Sequence, residues 1–192
     1  DAGGVACWGY NGYGQLGTAG VNSSPVPITV SNSAGDGPLV DVIDLAVGRM
    51  HNCVASSDGT AACWGNNGDR RLGDGTTTNR HRPVTVLNPE GTGPLTGVVR
   101  VSAGFSHSCA VLTDTTARCW GTNSRGALGD GSTTSRTLPV VVSDETGSGP
   151  LTGIVQIELG EDRSCAVLTN GQVRCWGPTQ PRPVAVSNPG NT

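Results

Sequence analysis

Six cysteines of this chain stand in three pairs, Cys53/Cys63, Cys109/Cys119 and Cys165/Cys175, and each pair is ten residues apart. Thiolates that hold zinc come together in tight C-x2-C knuckles, and none occurs here. Crosslinking in an oxidising compartment better suits seven cysteines in 192 residues. Three disulfides are therefore expected, with Cys7 unpaired or joined to a partner outside the chain. The remaining reactive residues do not converge. His51 and His107 occupy one recurring position, which Arg163 fills in a further copy. Such a residue is expected to tie down a turn at a strand start rather than to act as a base or metal ligand. His81 stands alone, with no ligand partner at sequence distance. Asp74-Gly75-Thr76 and Asp130-Gly131-Ser132 lack the alternating oxygens and distal glutamate of a calcium loop, and read as turns in which the Asp accepts backbone N–H groups. No G-x-x-x-x-G-K-S/T or G-x-G-x-x-G loop cradles a phosphate, and nothing aligns Ser, His and Asp or builds an oxyanion hole. The residues read as non-enzymatic, with no metal and no cofactor.

A repeat positions all of them. Cys53–Gly65 (CVASSDGTAACWG), Cys109–Gly121 (CAVLTDTTARCWG) and Cys165–Gly177 (CAVLTNGQVRCWG) are copies set 56 residues apart. Trp8, Trp64, Trp120 and Trp176 lie on the same period, as do Asn11, Asn67 and Asn123, the Leu-Gly pairs at Leu16, Leu72 and Leu128, and Gly48, Gly104 and Gly160. Units of one length are one supersecondary piece stacked on its neighbours. Within a unit, glycine and proline interrupt every helical pattern. Val98–Ala103 is rich in β-branched residues and stops at Gly104, which makes it a strand, A. Ser108–Leu112 is strand B, Ala117–Trp120 strand C, and Pro139–Val142 a short edge strand D. Strands B and C form a hairpin, because Ser57-Asp58-Gly59 and Thr169-Asn170-Gly171 supply the glycine that a tight tip needs at positive φ. A three-residue tip sets Cys53 opposite Cys63, near enough for a disulfide. The middle copy has Thr115 at the glycine position, so its turn is expected to be strained or different.

Four short antiparallel strands per 56 residues describe one blade of a β-propeller. The fold expected is all-β: three complete blades, with strand A beginning near Val40, Val98 and Ile154, plus a C–D half blade from residues 1–30. The whole of 1–192 is read as one partial propeller with units 7–62, 63–118, 119–174 and an incomplete 175–192. The tryptophans, each preceded by a cysteine and followed by glycine, are expected to fill the space between blades.

The segments Cys63–Thr78, Pro83–Val86, Val98–Leu112 and Cys119–Gly121, with their copies, resemble the repeat of the regulator of chromosome condensation family. Trp-Gly, Leu-Gly and Gly-x-x-His fall in that family's order along almost the whole chain. The resemblance implies a propeller, typically of seven blades. It implies a protein-binding role, since the eukaryotic founder exchanges guanine nucleotide on a small nuclear GTPase and touches chromatin. The paired cysteines resemble instead a secreted or surface-displayed bacterial branch, and a related secreted propeller inhibits β-lactamase through loops on one face. The chain departs from the pattern in its last unit, where Cys175-Trp176-Gly177 runs to Pro183 without 12 residues of the Leu-Gly loop.

A formal net charge of −3 provides no footprint for nucleic acid or an anionic membrane, and no apolar run approaches membrane-spanning length. The partner expected is another protein. Arg70, Arg71, Arg80, Arg82, Arg125 and Arg136 gather in two C–D loops, and loops on a rigid scaffold are where binding residues reside. The chain opens at Asp1 with neither initiator Met nor signal peptide, which reads as a processed chain or a piece of a longer one, secreted or at the cell surface. Ser187–Thr192 resembles Leu87–Thr92, the linker into a strand A. The rest of the ring is then expected from missing chain or a second copy. The function expected is a binding or display module outside the cell. An enzyme inhibitor, a structural surface protein and a GTPase exchange factor are the alternatives.

Overall fold

The computed structural model describes residues 3–186. Fourteen strands and no helix form four sheets among these residues. β1 (Ala6–Tyr10) and β2 (Ser23–Thr29) make a two-stranded sheet. β3 (Val42–Val47), β4 (His51–Ser56), β5 (Ala61–Gly65) and β6 (Arg80–Thr85) follow as a four-stranded antiparallel meander. β7 (Val98–Ala103), β8 (His107–Leu112), β9 (Ala117–Gly121) and β10 (Arg136–Val141) repeat it, and so do β11 (Ile154–Leu159), β12 (Ser164–Leu168), β13 (Val173–Gly177) and β14 (Gln180–Ala185). These are three blades and the C–D half of another, as the repeat predicts. None of the described residues forms a helix long and apolar enough to cross a membrane. Ser187–Thr192, read as a linker, lies outside the described residues.

Strand D differs from expectation. β10 opens at Arg136, so Pro139 sits inside the strand rather than at its start. The strand tolerates it because it is the outermost of its sheet and its register breaks between Arg136 and Val140. In the first blade strand A begins at Val42, the repeat equivalent of Val98, two residues after Val40.

The hairpin tips explain the cysteine spacing. Cys53 faces Cys63, Cys109 faces Cys119 and Cys165 faces Cys175 in register, each pair with Cα atoms 4.1 Å apart and bonded as a disulfide. Gly59 and Gly171 hold φ near 79° and 78°, and Thr115 holds the same left-handed conformation at 64°. The middle turn is thus strained but not different. Its N–H donates to Leu112 O at 2.9 Å, as Gly59 donates to Ser56 O. Thr115 gains a bond no glycine could make, since its hydroxyl accepts from the Gly153 N–H at 2.9 Å in the linker to the next blade.

The core lies between sheets. Cys53, Cys63, Leu72 and Val86 of the first blade close on Val98, Val101, Ala110 and Trp120 of the second. Cys109, Cys119, Leu128 and Val142 of the second close on Ile154, Ile157 and Trp176 of the third. The disulfides are therefore part of the packed interfaces as well as clasps on single hairpins. Replacing Cys109 and Cys119 together by alanine is expected to cost about 2–3 kcal/mol, the loop-entropy scale for an 11-residue ring. A shift in denaturant midpoint at constant slope would measure it; an unchanged midpoint would show that the clasp contributes nothing.

Candidate functional site

The A–B turns and the C–D loops lie at one end of the blades, and backbone bonds fasten them to each other. Asn66 N–H donates to Met50 O at 2.8 Å, and Thr122 N–H donates to Ser106 O at 2.9 Å. Successive A–B turns are linked as well, through Arg49 N–H to Gly104 O at 3.3 Å and Phe105 N–H to Gly160 O at 3.2 Å. Each long C–D loop is folded around a buried asparagine. Asn67 Oδ1 accepts from Leu72 N–H at 3.1 Å, while its Nδ2 donates to Asp74 Oδ1 at 3.0 Å. Asn123 repeats both bonds with Leu128 and Asp130. The Asp-Gly turns are held as expected of a capped turn: Asp74 Oδ1 accepts from the Thr76 N–H at 3.0 Å and its hydroxyl at 2.8 Å, and Arg80 pairs with Oδ2 at 2.7 Å. Burial would raise the Asp74 carboxyl, but Thr76 and Arg80 outweigh it and hold the pKa below the ordinary value.

The histidines differ from expectation in what they hold. His51 Nε2 does not fasten its own A–B turn; it reaches the next blade, 2.7 Å from Ser108 Oγ. His107 reaches Ser164 Oγ in the same way at 2.9 Å. Each serine hydroxyl in turn donates across to a C–D loop carbonyl, Ser108 to Arg71 O and Ser164 to Ala127 O, both at 2.8 Å. The serine proton is committed to that carbonyl, so Nε2 must carry a hydrogen and donate. That leaves Nδ1 bare, buried and without a partner. Burial depresses both residues well below 6.5, His51 to about 3, helped by the Arg71 charge, and His107 to about 4 despite the Asp162 carboxylate. Both are neutral structural groups.

The same carbonyls receive the tryptophans. Trp120 Nε1–H donates to Arg71 O at 2.7 Å, Trp176 to Ala127 O at 2.8 Å and Trp64 to Gln15 O at 2.9 Å. Those three indoles are buried between units. Trp8, expected to pack likewise, is 64% exposed. The indoles of Trp64, Trp120 and Trp176 are covered by the loop of the unit before them, and none of the described residues covers Trp8 in that way.

The six arginines divide. Arg71 is buried and ion-paired with Asp69. Arg80 and Arg136 clasp Asp74 and Asp130 within their own loops. Arg82 lies on the outer rim and donates to Ala34 O of the preceding unit at 3.3 Å. Arg70 and Arg125 remain at the loop end, Arg125 61% exposed and 3.3 Å from Asp162. Arg49 joins them there: its guanidinium lies 3.8 Å from the centre of the Phe105 ring. Sequence reasoning missed Arg49 and Phe105, although the two free positions inside the fixed frame Gly48-Arg49-Met50-His51 and Gly104-Phe105-Ser106-His107 mark a place where side chains vary on a constant turn. Among the described residues no three His, Cys, Asp or Glu side chains gather as a metal site.

Four-stranded meanders repeated with interlocked faces make this a β-propeller-class chain. Residues 2–55 and 58–111 match the regulator of chromosome condensation (RCC1) repeat, and a second profile of that repeat matches 98–127 and 154–177. The chain belongs to the RCC1 repeat family. Among curated proteins, the Homo sapiens probable E3 ubiquitin-protein ligase HERC6 is 29% identical over 179 residues, 90% of this chain and 16% of that protein. Among solved structures, human WBSCR16 superposes with a TM-score of 0.80 at 23% identity, covering 99% of this chain and 50% of that one. Yeast RCC1 (Prp20), solved with Kap60 bound, superposes at 0.71 with 19% identity, covering 97% and 46%. The chain thus spans half or less of each relative, and the structural matches speak to fold.

Two outcomes test this site. Unfolded histidine binds its proton near pH 6.5, while the folded chain resists until about pH 4 at His107 and about 3 at His51. Acid in that window therefore favours the unfolded state, and stability present above pH 6.5 falls by up to about 1.4 kcal/mol per pH unit per histidine. The lowered carboxylates add to the loss only from about pH 5 downward, as their unfolded forms take up protons. His51→Asn with His107→Asn should lower the melting temperature at pH 7, leave binding intact and flatten the slope between pH 6.5 and 4.5; an unchanged slope would place the effect elsewhere. The second outcome concerns Arg70, held at φ 65° where the other units have Gly14 and Gly126. Arg70→Gly should raise unfolding free energy by about 1 kcal/mol, the relief of left-handed strain less the entropy of glycine.

Proposed function

We propose that this chain is a non-enzymatic binding module, working outside the cell, that presents its A–B turns and C–D loops to a protein partner. The observation that carries the reading is Arg49, Arg70 and Arg125 at one loop end, set on turns that are bonded to one another and to the blades. Arg49 is held against Phe105, so little of its freedom is left to lose on binding, and an aromatic–arginine pair is the composition that recurs at interface centres. Arg70 keeps a large side chain where the backbone favours glycine, and strain retained on an exposed loop is a mark of use. Three disulfides support a location in an oxidising compartment. That setting weighs against nucleotide exchange on an intracellular GTPase. The solved complex of a yeast family member with Kap60 is in keeping with a protein partner.

The test is charge reversal. Arg49→Glu with Arg125→Glu should abolish capture of the partner in crosslinking pull-downs from the producing organism's surface and medium, at an unchanged melting temperature. Full retention of capture by the folded variant would overturn the loop-face assignment.

A further inference from the structure

Three Asn-Gly pairs occur in the sequence, Asn11-Gly12, Asn67-Gly68 and Asn170-Gly171. In such a pair the glycine nitrogen, crowded by no side chain, can attack the asparagine carboxamide before it and close a succinimide ring. The fold treats the three pairs differently. Asn11 is 2% exposed, and both ends of its amide are engaged: Nδ2 donates to Val21 O at 2.5 Å and Oδ1 accepts from the Leu16 N–H at 2.8 Å. Asn67 is fully buried, with Oδ1 on the Leu72 N–H and Nδ2 on Asp74. Asn170 stands on the exposed tip between β12 and β13, where Oδ1 accepts from the Gln172 N–H at 3.0 Å and Nδ2 has no partner among the described residues. The exposure belongs to the tip itself. Asp58 and Asp114, at the same repeat position, are exposed although another blade follows each of them.

We propose that Asn170 is a self-modification site, whose amide is exchanged for a carboxylate so that the third hairpin gains the acidic tip the other two carry. In the first step the Gly171 nitrogen gives its proton to a buffer base and bonds to Asn170 Cγ. The bond from Cγ to the amide nitrogen breaks, and ammonia leaves. Water then opens the ring at either carbonyl to give aspartate or isoaspartate. A water is taken up, an ammonia is released, and nothing is oxidised or reduced. The Gly171 N–H must first leave Leu168 O, to which it donates at 2.8 Å. That is a single bond on a solvated tip, and such a tip opens locally while the sheet stays intact. Asn11 and Asn67 must instead give up buried bonds on which their whole loops are folded.

The surroundings suit the aspartate. Asp58 and Asp114 accept from the N–H two residues on, as Asn170 does, and also from the hydroxyl of Thr60 or Thr116 at 2.7 Å. Thr116 first, and the Arg118 charge after it, hold the Asp114 carboxyl below its ordinary value. Gln172 replaces Thr116 in the third copy and brings no hydroxyl, but Arg174 stands where Arg118 does and donates to Gln172 Oε1 at 3.1 Å. The new carboxylate therefore forms near a cation, whereas isoaspartate adds a methylene to the main chain of a tight tip. β12 runs from the A–B turn to this tip, so the site lies at the end of the blades opposite Arg49 and Arg125, and its reaction is independent of binding there.

The test incubates the folded 192-residue chain in mildly alkaline buffer made with heavy-oxygen water and follows each Asn-Gly peptide by mass. Asn170 should convert about tenfold or more faster than Asn11 or Asn67, whose amides must first break two buried bonds each. The heavy oxygen should enter the Asn170 peptide, which separates aspartate formed in the buffer from any present before. Reduced and unfolded in urea, the chain should convert all three pairs at similar rates, so that the selectivity is the fold's. Asn170→Gln, whose longer side chain closes a ring poorly, should remove the reaction. Asn170→Asp should melt no lower than the parent chain. Equal rates at the three pairs in the folded chain, the same selectivity in the unfolded one, an Asn170 that stays intact while the unfolded chain converts, or a lower melting temperature for Asn170→Asp would each overturn the proposal.

Discussion

One backbone carbonyl per unit holds the blades in order. Gln15 O, Arg71 O and Ala127 O each accept two bonds from the following blade, one from the tryptophan indole and one from Asn52, Ser108 or Ser164. At the two complete junctions the histidine of the earlier blade closes the arrangement by donating to the same serine. At those two junctions all of these groups are buried, so each unmade bond there would cost the desolvation of a polar atom, about 1–3 kcal/mol. Slippage of one blade on the next is excluded less by attraction than by that penalty. The disulfides sit under the same seam and fix the strands that present the serine and the indole.

This seam leaves the loop end free for other use. The buried bonds lie below this end, and the contacts that Arg49, Phe105 and Arg125 add between neighbouring blades are made nearer the surface. Arg71, by contrast, contributes its main chain to the seam and its side chain to a pair with Asp69. Among the described residues the neighbouring Arg70 makes no such pair and holds a left-handed backbone instead.

Much of the fold was legible because the period, the Asp-Gly and Asn-Gly tips and the cysteine spacing all describe the same hairpin. Strand D was less so: Pro139 looked like a beginning, and only the sheet order shows that an outermost strand can carry it. The carbonyl seam could not be read at all. Its acceptor positions hold Gln, Arg and Ala, which look unconstrained because the main chain does the bonding. The reach of His51 into the next blade was hidden for a related reason, since its partner lies 57 residues away and meets it only through the stacking of units. At the candidate site the arginine cluster was visible, but which members face solvent depends on Asp69, Asp74 and Asp130 claiming the others.

The abbreviated turn between β13 and β14, Gly177 to Gln180, has an energetic consequence for the array. Without a Leu-Gly loop the third blade has no counterpart of the Arg71 or Ala127 carbonyl to offer onward. In a linear array whose stability is a sum of unit and neighbour terms, the two complete blade junctions are the strongly coupled ones. Disruption of either of those junctions draws in the blades on both sides, whereas opening of the short turn itself breaks no carbonyl link between blades.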